Sequence, residues 1–264
     1  MRRRFLVSSS SETFDINNYL TMVALGTLSV SFNQDVEYAI NGKKWATLSA
    51  GNRVIAMTGQ KLSFRGRLST TGTYSGIGEF DIVGAFDLIG NCMSLLFGDD
   101  AASNLDLSGK EYVFRGLFNG SDLRNVSRTF LPATTLADGC YANMFTGCRS
   151  LTTAPELPAT TLARNCYGGM FAYCTSLTTA PELPATTLAY DCYKGMFNGC
   201  SKLSYIKALF TTTPSDNYTR IWVSDVASTG TFVKSKDATW NVVGNSGVPS
   251  GWTVITDDQE GGGL

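Results

Sequence analysis

Between residues 19 and 64, apolar and polar positions run in short stretches bounded by turn-forming residues. Tyr19–Leu25, Thr27–Phe32, Val36–Ile40 and Lys61–Phe64 are rich in β-branched and aromatic residues. Asn33-Gln-Asp35, Asn41-Gly42, Ala50-Gly51-Asn52 and Thr58-Gly59 separate them. Asn41-Gly42 between two such runs is the signal of a type I′ hairpin. This spacing predicts an antiparallel β-sandwich-like region over 12–84, with Trp45 in its core. Residues 1–11 read as a flexible arm. Met1-Arg-Arg-Arg4 looks like the basic start of an export signal, but only Phe5-Leu-Val7 follows. Such a signal needs roughly 7–15 apolar residues, so export by the usual route is not expected.

Further along, the pattern becomes a repeat. Leu131-Pro-Ala-Thr-Thr-Leu-Ala-Asp-Gly-Cys140-Tyr-Ala-Asn-Met-Phe145-Thr-Gly-Cys148 recurs 26 residues later at 157–174, and again at 183–200. Weaker matches around Phe97 and Phe118 extend the series, so the phenylalanines at 97, 118, 145, 171 and 197 read as anchors of about five coils. A fixed period of this size predicts a solenoid over 85–204. Within one coil Cys140, Tyr141, Met144, Phe145 and Cys148 have the spacing of one face of a short helix. Leu151-Thr-Thr-Ala-Pro-Glu reads as the extended edge. Each coil is therefore expected to be one strand plus one short helix. Residues 205–258, with Trp222, Phe232, Trp240 and Trp252, read as a C-terminal cap, and 259–264 as a loose tail.

Composition narrows the chemistry. The 264 residues contain no histidine, which removes Ser-His and Cys-His nucleophile pairs and the HExxH zinc site. A net charge of −1 with only 16% charged residues gives no footprint for nucleic acid. No apolar run is long enough to span a bilayer. Six of the seven cysteines form two columns, at 140, 166, 192 and 148, 174, 200. Three members per column cannot all pair, and spacing of eight matches no zinc site. They read as free, buried thiols. No cofactor, metal or catalytic residue is assigned, and Asp99-Asp100 and Asp257-Asp258 lack the opposed placement a glycosidase needs.

The unit Leu-Pro-Ala-Thr-Thr-Leu-Ala-x-x-Cys-Tyr-x-x-Met-Phe-x-x-Cys-x-x-Leu-Thr resembles the BspA-type leucine-rich repeat of Bacteroidetes surface proteins. Leu131-Pro132, Leu136, Phe145, Cys148 and Leu151 stand at that family's fixed places. Met144 stands where the family has alanine, and the coil is three residues longer. The whole chain, including Asp15-Ile-Asn-Asn-Tyr19 and Gly230-Thr-Phe-Val, is similar to repeat proteins encoded by phages of gut Bacteroidales. The resemblance implies a mixed, β-rich fold in which the repeats form a leucine-rich-repeat solenoid. It also implies a non-enzymatic virion component, a tail or fibre protein touching the host surface, with a bacterial cell-surface or extracellular adhesin of the same repeat family as the alternative. The implied partners are a host cell-surface protein or polysaccharide and other virion proteins, with homo-oligomerisation open. Neither nucleic acid nor membrane insertion is expected.

Comparing the copies with one another identifies the candidate surface. Apolar, Thr-Thr and Cys positions stay fixed, while pairs such as Asp138-Gly139, Arg164-Asn165 and Tyr190-Asp191 change. A core site cannot vary from Asp to Arg to Tyr without burying an unpaired charge. The varying strip is therefore expected to face water and to bind a partner through Asp138, Asn143, Arg164, Asn165, Tyr173, Tyr190, Asp191, Lys194 and Asn198.

Overall fold

The computed structural model describes residues 14–70 and 76–260. The expected arm at 1–11 and residues 261–264 of the tail lie outside them. The first strands are β1 (Leu20–Ala24), β2 (Leu28–Phe32), β3 (Val36–Ile40), β4 (Ala46–Leu48), β5 (Arg53–Ala56) and β6 (Lys61–Arg65), followed by β7 (Phe80–Val83) and β8 (Phe86–Ile89). A four-residue helix α1 (Ser94–Phe97) and a strand β9 (Leu123–Val126) come next. Six of the strands form one sheet in the order β4-β3-β6-β1-β8-β9, and β5-β2-β7 form a second. All pairs in these two sheets are antiparallel except β8–β9.

Alternation along these strands explains how the sheets meet. Leu20, Met22 and Ala24 of β1, Leu62 and Phe64 of β6, and Leu28, Val30 and Phe32 of β2 are all buried. Phe80 of the small sheet touches both Phe32, with ring centroids 4.5 Å apart, and Phe64 of the large sheet, at 5.1 Å. On the other face of the large sheet, the Thr21 and Ser63 hydroxyls are hydrogen-bonded at 2.8 Å. Ser94 of α1 bridges β1 and β6, accepting from the Leu20 N–H and donating to the Phe64 carbonyl. Trp45, expected in the core, is half-buried, with the Arg65 guanidinium 4.3 Å over its ring.

The expected fold class does not hold. Among the described residues the elements are three separate sheets, one α-helix and three short 3-10 helices, and residues 131–204 contain neither strand nor helix. A leucine-rich-repeat solenoid built from one strand and one helix per coil is therefore overturned. The purely antiparallel pairing expected of the N-terminal sandwich-like region is corrected too, because β9 joins the large sheet in parallel from beyond α1. Within 205–258, the segment expected as a cap, β10 (Tyr205–Ala208), β11 (Thr231–Lys234) and β12 (Thr253–Thr256) form a three-stranded parallel sheet.

The repeats are tracts of consecutive turns, and their backbone accounts for the missing helix. N–H groups of Ala142, Met144, Thr146 and Cys148 each donate three residues back within the tract. Gly139, Tyr141, Asn143, Phe145 and Gly147 instead donate to the carbonyls of Arg164, Cys166, Gly168, Met170 and Ala172 in the next copy, at 2.7–3.0 Å. The same alternation links 165–173 to 190–198, and 191–199 to 217–224. Every fourth residue of a tract has positive φ: Gly139, Asn143 and Gly147 in one copy, Asn165, Gly169 and Tyr173 in the next, Asp191, Gly195 and Gly199 in the third. A left-handed residue at every fourth place cannot continue a helix.

Apolar side chains of the tracts stack in register. Phe80, Phe118, Phe145, Phe171 and Phe197 form one ladder with centroids 5.6–5.9 Å apart and rings within 14° of parallel. Phe80 of β7 begins it, whereas Phe97, the expected first anchor, belongs to α1. Phe114, Tyr141, Tyr167 and Tyr193 form a second ladder at 5.6–6.1 Å. Both ladders end on the fully buried Trp222, whose indole N–H donates to the Gly247 carbonyl at 2.9 Å. One apolar core thus runs from Leu20 to Trp252.

Candidate functional site

The turn tracts decide where each predicted strip residue points. Asp138, Arg164, Tyr173 and Tyr190 are exposed, while Asn143, Asn165, Asp191, Lys194 and Asn198 are half-buried. Asp138, Arg164 and Tyr190 sit at equivalent places in successive copies and touch. The Arg164 N–H donates to Asp138 Oδ1 at 3.1 Å, and its guanidinium lies 5.1 Å over the Tyr190 ring. Stacking of a guanidinium on a tyrosine face leaves its edge N–H donors available. The three side chains therefore form one exposed column offering a carboxylate, a guanidinium and a phenol.

The other strip residues have a different origin. Asn143, Asn165 and Asp191 hold positive φ of 52–56°, a region that asparagine, aspartate and glycine tolerate best. Their restriction to Gly, Asn and Asp follows from backbone conformation. Asn143 lies against Gly169, where a Cβ would strike its Oδ1. Lys194 pairs with Asp191 at 3.6 Å. Tyr173 is the exception, with φ of 61° and half its surface exposed, where the flanking copies carry Gly147 and Gly199. Its ring lies over Gly199, whose Cβ would come within 2.5 Å of it.

The fixed columns are internal. Tyr141, Tyr167 and Tyr193 are buried, and burial raises their phenol pKa well above the ordinary value. All seven cysteines are buried and unpaired as disulfides. Desolvation pushes the Cys140, Cys192 and Cys200 thiols up to about 12 and Cys148 to about 11. The second column ties the copies together, since Cys148, Cys174 and Cys200 donate to the carbonyls of Phe118, Phe145 and Phe171 in the preceding copy at 3.0–3.2 Å. The paired aspartates are also engaged. Asp99 accepts from the Tyr19 hydroxyl and from Arg65, and Asp100 from Arg67. The pull of those donors outweighs burial and lowers the Asp99 pKa. Asp257 accepts from the Lys236 N–H and Asp258 from the Thr256 hydroxyl.

Two concavities complete the surface. A groove of about 680 Å³ runs between residues 152–158 and 178–184, with Arg128 at its rim. A smaller one, about 330 Å³, lies beside Arg65, Glu37 and Asp99. Among the described residues no cluster of three or more Cys, Asp or Glu is placed to hold a metal, and no helix is long and apolar enough to cross a membrane. No protein-family model, curated protein or solved structure matches the chain.

Proposed function

We propose that the protein is a non-enzymatic recognition component of a phage virion, a tail or fibre protein that contacts the host surface through its turn repeats. The observation that carries this reading is the exposed column Asp138–Arg164–Tyr190. Its members come from three copies, and the copies are joined by backbone hydrogen bonds along their whole turn tracts. A rigid base of this kind holds side chains in place before a partner arrives, which lowers the ordering cost of binding. Arginine and tyrosine are also the residue types that most often carry interface energy. The partner is a host protein or polysaccharide with hydrogen-bonding groups that meet the column.

The test is binding of the purified, labelled chain to host cells. Replacing Arg164 and Tyr190 with alanine should leave the circular dichroism spectrum intact and lower binding at least tenfold, about 1.4 kcal/mol. Undiminished binding by this double variant would exclude the column from host contact.

A further inference from the structure

Below each turn tract runs an extended segment, and neighbouring extended segments from residue 122 onward are tied by backbone hydrogen bonds at every step but one. Thr152 N–H donates to the Arg124 carbonyl, Val126 N–H to Thr153 and Glu156 N–H to Arg128, at 2.9–3.1 Å. One step beyond the gap, Ser204 N–H donates to Thr178, Ala180 N–H to Tyr205, Leu183 N–H to Lys207 and Leu209 N–H to Leu183, at 2.9–3.0 Å. Strands β10, β11 and β12 continue the series. Between 151–158 and 177–184, among the described residues, no backbone hydrogen bond is made. The turn tracts above this step remain bonded, and Phe145 and Phe171 keep the ordinary 5.6 Å stacking. The larger groove fills the interrupted step.

Sequence does not dictate the gap. Both walls read Leu-Thr-Thr-Ala-Pro-Glu-Leu-Pro, and each pairs normally on its far side. Their identity indicates what the groove receives. Segment 177–183 holds β10 with four backbone groups: the Thr178 carbonyl, the Ala180 N–H, and both groups of Leu183. Segment 151–157 has the same four in the Thr152 carbonyl, the Ala154 N–H, and the N–H and carbonyl of Leu157, and none of them is hydrogen-bonded among the described residues. Backbone groups alternate sides along an extended chain. The opposite edge is held by β9, and Thr152, Ala154 and Leu157, which carry these four groups, all line the groove. In the occupied copy, Lys207 of β10 also pairs with Glu182 at 3.2 Å. Glu156 stands at the equivalent place in the groove wall, exposed, with Arg128 as its present partner.

From this repetition we infer that the groove receives an extended strand of a partner protein, paired in parallel with residues 152–157 and carrying a basic residue opposite Glu156. A row of unpaired backbone groups is the template for such strand addition, and the volume is within the range of peptide and ligand sites.

The probe is a fluorescein-labelled peptide Ser-Tyr-Ile-Lys-Ala-Leu-Phe, the sequence of residues 204–210, added to the full chain. Anisotropy should show saturable binding, and hydrogen exchange should slow at the Ala154 and Leu157 amides. N-methylation of the peptide's serine and leucine removes the two donors and should weaken binding at least tenfold. Glu156→Lys should weaken the parent peptide and favour one with glutamate in place of its lysine. The Arg164 and Tyr190 alanine variant should bind the peptide like the parent, which separates this groove from the host-contact column. Absence of saturable binding, equal affinity of the N-methylated peptide, or protection confined to other amides would overturn the inference.

Discussion

Gly195→Ala isolates the backbone requirement of the turn tracts. Gly195 has φ of 62°, and a Cβ placed there meets no heavy atom within 4 Å. Any loss of stability therefore comes from conformation and not from collision. Holding a residue with a Cβ in the left-handed region costs roughly 1–2 kcal/mol. Restricting the unfolded chain by replacing glycine returns about 0.4–1 kcal/mol. The net loss should be about 1 kcal/mol, a fall in Tm of about 2–4 °C for a chain of this size. Gly195→Asn should lose less, because asparagine tolerates this region and Asn143 holds the same place in an earlier copy. Gly26→Ala is the control, since a Cβ there also meets nothing and φ is outside the left-handed range. It should be neutral or slightly stabilising. Urea and thermal denaturation followed by circular dichroism measure all three. If Gly195→Ala is as stable as the parent, or Gly195→Asn is the worse of the two, backbone conformation is not what glycine supplies here.

Phe171→Ala, in the middle of the phenylalanine ladder, should cost about 3–5 kcal/mol, and Phe97→Ala, half-buried outside it, less than half as much; urea midpoints at unchanged slope read both. Tyr173→Gly should hold or raise Tm by removing a strained tyrosine, which a thermal scan checks. The native chain should resist iodoacetamide at pH 8 and yield seven alkylated cysteines once unfolded, counted by mass spectrometry. A reductant should leave its Tm unchanged. Thiol pKa values raised from the ordinary 9 to about 12 mean that the folded state favours the protonated form. That contribution is complete below pH 9 and is lost as pH rises toward 12. Stability measured by urea titration should therefore fall over this window, and a flat profile would contradict the burial of the columns.

Sequence periodicity carries much of the repeat region and misleads at one point. The period of 26 locates the copies because equivalent residues stack directly on one another, as Phe145 on Phe171 and Tyr141 on Tyr167 do. The same tract reads as helical because Cys140, Met144 and Cys148 recur every four residues, close to the pitch of a helix. The discriminating signal lies between them. Positions 139, 143 and 147 and their equivalents are mostly Gly, Asn or Asp, the residues that accept positive φ at every fourth place. Tyr112, Tyr173 and Ile221 break that rule and obscure it. Asp138, Arg164 and Tyr190 are legible as exposed because such chemically different side chains cannot share a buried place. Their contact through a cation–π pair is not, since it depends on side-chain direction. The groove leaves no trace in the sequence at all, because its two walls have the same residues and differ only in how neighbouring segments separate.

Immunogold electron microscopy of purified virions, using an antibody raised against this chain, tests the central claim most directly. Label should lie on the particles, concentrated at the tail or its fibres, and host adsorption should be lost when the antibody covers the Asp138–Arg164–Tyr190 column. Purified virions that carry no label, with the chain found instead on the bacterial surface, would contradict a role in the virion.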